Sequence, residues 1–544
     1  MRRFSLLALT AALLCAYSPD NGPTAQDADP GKTTAAPGLN EDQKLHHFLN
    51  RFTLGATPAL MAEVKQKGMK AWLEEQLKGA RQEPAVLNKA LEPLLSLDMT
   101  LEQVRDSYVK KLPRDADVRE RKEAQRLGKV PERELLESIV LRGTYSNNQV
   151  REVSMDFFRN HLCISVDKGP VSLMAGNYEA SVLRANALGD FGTLLMASAK
   201  HPAMLFYLDN HLSCRPATPE EIELIKRRGR NVPEKIEAAQ QRGLNENYAR
   251  ELLELHTLGV DNYYTQDDVI EVAKCLTGWT INPEFKKEGG GFQFARLVHC
   301  GGDKKVLGTT IKENRENPLA EGEEVVRMLA AHEGTAKYVS FKLCRWLVND
   351  QPSDALVGRI AAVFREKKGN LPAVLLAIYE DPEFFAAANY QCKYKRPFEF
   401  VVSVLRATGA EVTDASGLQR SLLEMNEPLY RCANPTGYYD QAESWQDPGA
   451  MSLRWKFALD LAENKINGVK LPEDVRGILR DGEPRTWKDK LAKRLLCVPL
   501  SAGTSAALDK LVDRQLADGS KNAMRDLGAL LIAGILGSPE FQKQ

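Results

Sequence analysis

The residues most able to do chemistry are concentrated between Asn245 and Trp279, in the stretch NENYARELLELHTLGVDNYYTQDDVIEVAKCLTGW. If its first part is helical, one hundred degrees per residue places Asn247, Arg250, Glu251 and Glu254 on one arc. In a cleft, these groups could bind a cation or serve acid and base catalysis. On an exposed helix they would form a solvated face on which Arg250 can pair with Glu254. The sequence favours the solvated face and leaves the cleft open.

His256 lies in the same stretch, two residues beyond Glu254. At helical spacing the two side chains point in nearly opposite directions, whereas a metal pair within a helix needs residues three or four apart. That pair is therefore excluded. His256 is predicted to face the core and to make one hydrogen bond.

A second histidine, His161, stands among aromatic residues in FFRNHLC. One interpretation places His161 at the edge of a core helix. The other makes it a general base or metal ligand that draws on Glu251 or Glu254, and on Asp209. No spacing in the sequence decides whether these groups converge.

Several common catalytic and binding motifs are missing from the sequence. It contains no H-E-x-x-H, G-x-S-x-G or G-x-x-x-x-G-K-[ST], and none of its 9 cysteines forms C-x-x-C. The zincin, α/β-hydrolase, P-loop and zinc-knuckle classes therefore lose their usual support. No cofactor and no metal ligand is assigned.

The elements that carry the opening stretch are predicted to be two helices joined by a short turn. Gly259 and Gly278 each fit a helix stop in the left-handed conformation, followed by an apolar residue, Val260 or Trp279, that folds back. The second helix begins at a Thr265 cap with Asp268 three residues on. This pattern needs no catalytic assumption.

Helical periodicity dominates from Gln43 onward, so the fold class is mostly α, a multi-helical globular domain. The one predicted β-hairpin pairs Phe292–Val298 with Lys305–Ile311. A main helical domain is predicted over 41–394. A smaller C-terminal helical subdomain is predicted over 395–544.

Residues 1–18 are predicted to be a signal peptide, because Arg2 and Arg3 precede an apolar run too short to span a bilayer. Residues 19–40 are predicted to be a disordered linker. Export to the periplasm or cell envelope follows, and Cys15 is a candidate for lipid anchoring. No later apolar run approaches twenty residues.

Charge excludes one class of partner. Lysine plus arginine and aspartate plus glutamate are both 73, so the formal net charge is +0. No overall positive field attracts a nucleic acid, and none is predicted as a partner. Oligomeric state is not predicted.

The opening stretch closely resembles the signature of the bacterial family called domain of unknown function 1800. Other segments agree with that family in order: HFLNRFTLGATP, MDFFRNHL, LDNHLS, KVLG, KRPFEF and NPTGYYDQAESW. The resemblance covers nearly the whole chain after the leader. Two departures stand out: His299-Cys300 replaces the usual His-Asp, and Gly437-Tyr438 replaces a glycine followed by tryptophan.

The resemblance implies a large, mostly helical and often exported protein without an established activity. Such proteins are commonly encoded beside an exported sulfatase-like family, which makes a protein of that kind a candidate partner. The leading hypothesis is an exported cell-envelope protein that binds or assembles with another exported protein. The alternative is a hydrolase, in a metal-dependent or a metal-independent version, with a pocket that unites His161, Asn247, Arg250, Glu251 and Glu254.

Overall fold

The computed structural model describes residues 38–79, 81–228, 243–282, 291–518, 520 and 522–544. The predicted signal peptide, Cys15 and the predicted linker up to residue 37 lie outside the described residues. Residues 229–242 of a polar insertion and the glycines at 289–290 also lie outside them.

The prediction of a mostly α fold is confirmed. Many helices begin at a side-chain cap; Asn40, Thr100, Asp117 and Thr265 each form a capping box with the residue three positions on. The α-helices are Glu41–Phe52, Pro58–Lys67, Met69–Leu77, Ala85–Leu91, Leu101–Tyr108, Val118–Gly128, Val130–Tyr145, Gln149–His161, Val171–Tyr178, Phe191–Lys200, Pro202–Tyr207, Pro219–Arg228, Asn247–Glu251, Gln266–Leu276, Leu319–Ala331, Glu333–Leu347, Asp354–Glu366, Leu371–Glu380, Pro397–Thr408, Ser416–Glu424, Pro448–Ala462, Glu473–Ile478, Pro484–Leu495, Ala502–Asp518, Ala523–Leu536 and Pro539–Gln542. Glu179–Arg184 and Leu252–Leu258 are π-helical continuations.

Three small antiparallel sheets of two strands each occur in the described residues. Trp279–Ile281 pairs with Phe292–Phe294, Lys304–Val306 with Thr309–Ile311, and Glu411–Val412 with Val469–Lys470. The predicted pairing of Phe292–Val298 with Lys305–Ile311 is therefore wrong.

The physical reason lies in two local features. Leu307 and Gly308 have positive φ angles of 49° and 77°, so the second predicted strand turns back on itself as its own hairpin. The first predicted strand finds its partner upstream at Trp279, whose indole is fully buried. The tight turn at Leu307 and Gly308 divides the segment that the residue pattern predicts as one continuous strand.

Beside a small cluster of Tyr394, Trp445 and Met451, one large hydrophobic core runs through the described residues. Its buried members extend from Leu45 to Phe541 and come from helices on both sides of residue 395. The helix Ala523–Leu536 lies deepest near the carboxyl end and packs against Pro448–Ala462, Pro484–Leu495 and Ala502–Asp518. The subdomain boundary at residue 395 stays a prediction.

In the described part of the chain, no helix combines the length and the apolar character needed to cross a membrane.

Candidate functional site

The first helix of the opening stretch begins at Asn247 and changes from α to π geometry at Leu252; we call Asn247–Leu258 the signature helix. The wider π turn releases backbone carbonyls from their usual partners. The Thr257 hydroxyl donates to the carbonyl oxygens of Leu252 and Leu253, at 2.6 and 3.2 Å. His256 is 1% exposed, as its predicted core-facing position requires.

The polar arc lies along the outer side of this helix. Asn247 is exposed and donates to the Leu208 carbonyl at 3.3 Å. Arg250 donates to Gln266 Oε1 at 2.6 Å and lies 3.7 Å from Glu246. The Arg250–Glu254 pair that the sequence allowed is not formed, because Gln266 and Glu246 take up the guanidinium.

Both glutamates of the arc are partly buried. Tyr264 donates its hydroxyl to Glu254 at 3.0 Å. Burial, and next the neighbouring Glu254 charge, raise the pKa of Glu251. The arc is therefore held against the second helix and is neither a freely solvated face nor an enclosed pocket.

The turn after the signature helix has an unusual backbone. Gly259, Asp261 and Tyr263 have φ angles of 88°, 53° and 64° within five residues. Positive φ is costly for residues other than glycine, and such strain concentrates where a structure serves a function. The helix ends before Gly259 as predicted, but Gly259, with φ 88° and ψ 160°, does not adopt the predicted left-handed conformation; an added Cβ there would come within 2.9 Å of the Tyr338 ring.

Two apolar side chains project from this turn. Val260 is 52% exposed and Tyr263 is 49% exposed. The prediction that Val260 folds back on the last helical turn is wrong, because the chain leaves Gly259 with ψ 160° instead of the left-handed ψ. Trp279, in contrast, is fully buried after Gly278 as predicted.

The Tyr263 ring is held in place although it is exposed. It packs edge-on against His332, with ring centroids 5.2 Å apart. An added Cβ at Gly334 would lie 2.7 Å from the Tyr263 ring. Only glycine at position 334 therefore allows the Tyr263 ring to lie this close. We call the surface formed by Asn247, Arg250, Glu254, Val260 and Tyr263 the signature face.

His161 lies inside the molecule, at the end of the helix Gln149–His161. Its Nδ1 is 3.2 Å from Lys342 Nζ and its Nε2 is 3.2 Å from the His256 carbonyl. Because an ammonium only donates, Nδ1 accepts and the proton sits on Nε2. Burial, then Lys342, holds the pKa of His161 well below its ordinary value.

The amine beside His161 belongs to Lys342, which lies on the helix Glu333–Leu347. Burial lowers its pKa, and the nearby Asp440 carboxylate opposes that shift. Asp440 Oδ1 is buried without a hydrogen-bond partner among the described residues. We call His161, Lys342 and Asp440 the inner cluster; its amine and its unpartnered carboxylate oxygen could bind a small polar group or a water.

Two tyrosines respond to charges of the polar arc. Burial raises the pKa of Tyr338 to about 12, and Glu254 and Asp440 both add to the shift. Burial also raises the pKa of Tyr207, with a further contribution from Glu251. These groups therefore share one electrostatic neighbourhood, although His161 makes no hydrogen bond to either glutamate in the described residues.

Segments identified in the sequence dock on one another around the inner cluster. Asn160, in MDFFRNHL, donates to the Tyr438 carbonyl at 2.8 Å and accepts from its backbone N–H at 2.6 Å. Gly437 permits this approach, since an added Cβ would lie 2.4 Å from the Asn160 carbonyl oxygen. The chain from 430 to 440, which we call the cap segment, is thereby fixed to the end of the His161 helix.

An ionic network beneath the cap segment joins MDFFRNHL to KRPFEF. Arg396 pairs with both Asp156 and Glu427, and all three side chains are at most 5% exposed. Arg159 binds Glu179 at 2.7 Å and Asp156 at 3.3 Å. Removing one partner would leave a buried charge unpaired. We therefore assign these residues a structural role.

The segment LDNHLS is hydrogen-bonded to both ends of the stretch from Asn245 to Trp279. Asn210 donates to the carbonyls of Leu276 and Trp279, at 3.2 and 2.9 Å. Asn245 donates to the Asp209 carbonyl at 3.0 Å. The Asp209 carboxylate binds Lys168 at 2.8 Å, which leaves it paired at the surface.

The departure His299-Cys300 lies in a separate buried group. His299 Nε2 is 3.0 Å from Glu321 Oε2, and Lys304 Nζ contacts the same carboxylate oxygen. Lys304 also donates to the Cys300 carbonyl at 2.6 Å. Cys300 stands where the family usually has an aspartate, and Glu321 supplies the carboxylate that contacts His299.

In the described residues the structure does not join Glu251 or Glu254 to His161 by a hydrogen bond, and it leaves Asn247 and Arg250 on the surface. Sequence reasoning missed Lys342 and Asp440. Asp440 lies in NPTGYYDQAESW, and Lys342 is a lone lysine among apolar neighbours in KYVSFKLCRWLV; these were the available signals. Within the described residues, no three His, Cys, Asp or Glu side chains are grouped to hold a metal ion.

The fold and these interlocked segments define a large helical protein with a large core and a shared signature. The model of the family described as "Protein of unknown function (DUF1800)" matches residues 47–543. The chain belongs to this family. Comparison with curated proteins and with solved structures found no match.

Proposed function

We propose that this protein is an exported cell-envelope protein that binds another exported protein through its signature face. The observation that carries the proposal is the strained turn that presents Val260 and Tyr263 to solvent. Both side chains stay exposed in a turn that has three positive φ angles within five residues.

The chemistry of the signature face suits a protein partner. Rigid aromatic and aliphatic anchors bind with little loss of side-chain entropy, and surrounding polar groups complete such interfaces. Tyr263 is pre-positioned on His332 and Gly334, and Arg250 and Glu254 lie beside the turn with their orientation fixed.

Export and partner identity are parts of the same proposal. The leader at 1–18 and the linker at 19–40 would carry the folded chain into the envelope, with Cys15 as a possible lipid attachment point. The candidate partner is the exported sulfatase-like protein suggested by the family resemblance.

A calorimetric titration of the mature chain with that sulfatase-like protein tests the proposal. The double variant V260S/Y263N should raise Kd about tenfold or more, because truncating central anchors costs about 1.4 kcal/mol or more. Asparagine suits the positive φ at position 263. The matched control is L423S, because Leu423 is another exposed apolar side chain (59%), and it should leave Kd unchanged. Equal Kd values for the wild-type chain, V260S/Y263N and L423S would refute the proposal.

The alternative function is a hydrolase, and the inner cluster favours it. Lys342 has a lowered pKa, His161 is its neighbour, and Asp440 presents a buried oxygen without a described partner. In this alternative Lys342 first loses its proton, which burial favours, and then acts as base once an incoming substrate separates it from His161.

The hydrolase alternative has its own test. The mature chain would be assayed with p-nitrophenyl acetate, phosphate and sulfate, and then as K342M and D440N. Turnover that both variants abolish while Tm is kept supports it; turnover equal to that of buffer removes it. Metal content of the chain and of E254A/H161A, measured by mass spectrometry, tests the metal-dependent version, which fails if both proteins contain equal metal.

A further inference from the structure

Two cysteines face each other beside the inner cluster. Cys163 follows the His161 helix and Cys432 belongs to the cap segment; they are 5% and 8% exposed. Both line the same small cavity of about 30 Å³ beneath the cap segment. Neither cysteine is used by the signature face.

Backbone contacts on both sides fix the two cysteines opposite one another. Asn160 is bonded to Tyr438 on one side, at 2.6 and 2.8 Å. On the other side the Val166 N–H donates to the Tyr430 carbonyl at 2.9 Å. The chains run in opposite directions between these two contacts, and Cys163 and Cys432 both lie within the paired stretches.

The surroundings distinguish the two sulfurs. The side chains of Cys163 and Cys432 interact directly, which lowers the pKa of Cys432 and raises that of Cys163. Backbone N–H groups of Ala433 and Asn434 also stabilise the Cys432 thiolate, as amide groups do at anion-binding turns. Ala433 and Asn434 are exposed, so an oxidant can approach from the Cys432 side.

We propose that Cys163 and Cys432 form an oxidation site, at which a disulfide-bearing oxidant joins them in an intramolecular disulfide. The Cys432 thiolate attacks one sulfur of the oxidant, and the first oxidant thiolate leaves. Cys163 then loses its proton and attacks the Cys432 sulfur, and the second thiolate leaves. The two cysteines are oxidised, the oxidant is reduced to two thiols, and those thiols take up the two protons.

The disulfide would fix the cap segment, and with it Asp440, to the end of the His161 helix. Its position therefore couples the oxidising conditions of an exported protein to the geometry of the inner cluster. The inference stands independently of partner binding at the signature face.

A peptide map tests the proposal on the mature chain. The protein is incubated with oxidised glutathione, blocked with N-ethylmaleimide and digested without reductant. The expected product is a peptide pair linking Cys163 to Cys432, lighter by two hydrogen atoms and separated by dithiothreitol. The exposed Cys392 reports that the oxidant is active. The proposal is overturned if Cys392 reacts while Cys163 and Cys432 stay reduced, or if either pairs elsewhere.

Variants establish the order of attack. C163S should accumulate glutathione on Cys432, whereas C432S should leave Cys163 unmodified. C344S removes another buried cysteine and should form the 163–432 link at the wild-type rate. Equal labelling of Cys163 in C432S and of Cys432 in C163S would contradict the assigned order. If C163S does not fold, the wild-type map alone decides whether the site exists.

Discussion

Gly278 has a conformational role that the structure defines clearly. It combines a φ of 82° with a backbone approach in which an added Cβ would lie 2.8 Å from the Ala295 carbonyl oxygen. A side chain there is strained by the backbone and obstructed by its neighbour.

Gly278→Ala is therefore expected to lower the free energy of unfolding by about 2 kcal/mol. Gly358→Ala is the matched control, because Gly358 is helical with open space around its Cβ position. The control should stabilise by about 0.5–1 kcal/mol. Urea unfolding of the three proteins measures the difference, and equal midpoints would contradict the assignment.

Single residues with local signals could be predicted from the sequence. The Thr265 cap, the positive φ of Gly278 and the buried His256 follow from neighbours a few positions away. The helix stop predicted at Gly278 comes earlier, because the helix ends at Leu276 and Thr277 is its C-cap. Lys342 and Asp440 could not be paired in this way. They are almost a hundred residues apart in the sequence, and only the docking of the cap segment brings their charges together.

At the scale of elements, the cap segment depends on the close approach of Gly437 to Asn160. Gly437→Ala should detach it, so hydrogen exchange in 156–166 and 430–440 should become about tenfold faster or more. Gly482→Ala is the control, because Gly482 also has positive φ (74°) but its nearest neighbour is the flexible Lys490 side chain. Exchange that rises equally in both variants would show that backbone strain alone is responsible.

Element type was predictable, whereas element pairing was not. Amphipathic period and caps define the helices locally, and the mostly α fold follows. Partner choice between short strands depends on turns that one or two residues set, as at Leu307 and Gly308. The π geometry after Leu252 was also missed, because a helical wheel assumes a constant angle per residue.

At the scale of the whole molecule, buried histidines make stability depend on pH. Burial lowers the pKa values of His46, His201 and His256 from 6.5 to about 3. The unfolded chain therefore binds more protons than the folded one between those two values. Stability from these groups is fully present above pH 6.5 and is lost as pH falls towards 3.

His201→Asn isolates one of these histidines. His201 Nδ1 accepts from the Ala203 N–H at 3.1 Å, and the asparagine oxygen can take over that cap. Between pH 4 and 6 the variant's stability should fall less steeply, by about 1.4 kcal/mol per pH unit. Urea unfolding at pH 7, 6, 5 and 4 measures the slopes; parallel slopes would mean that His201 titrates normally in the folded protein.

The central claim is that the turn at 259–264 is the contact surface for an exported partner. Hydrogen exchange of the mature chain, with and without saturating sulfatase-like protein, tests it most directly. The claim predicts slowed exchange at 259–264 and unchanged exchange in the hairpin 304–311. Unchanged exchange at 259–264 while the partner is bound, or protection confined to other segments, would contradict it.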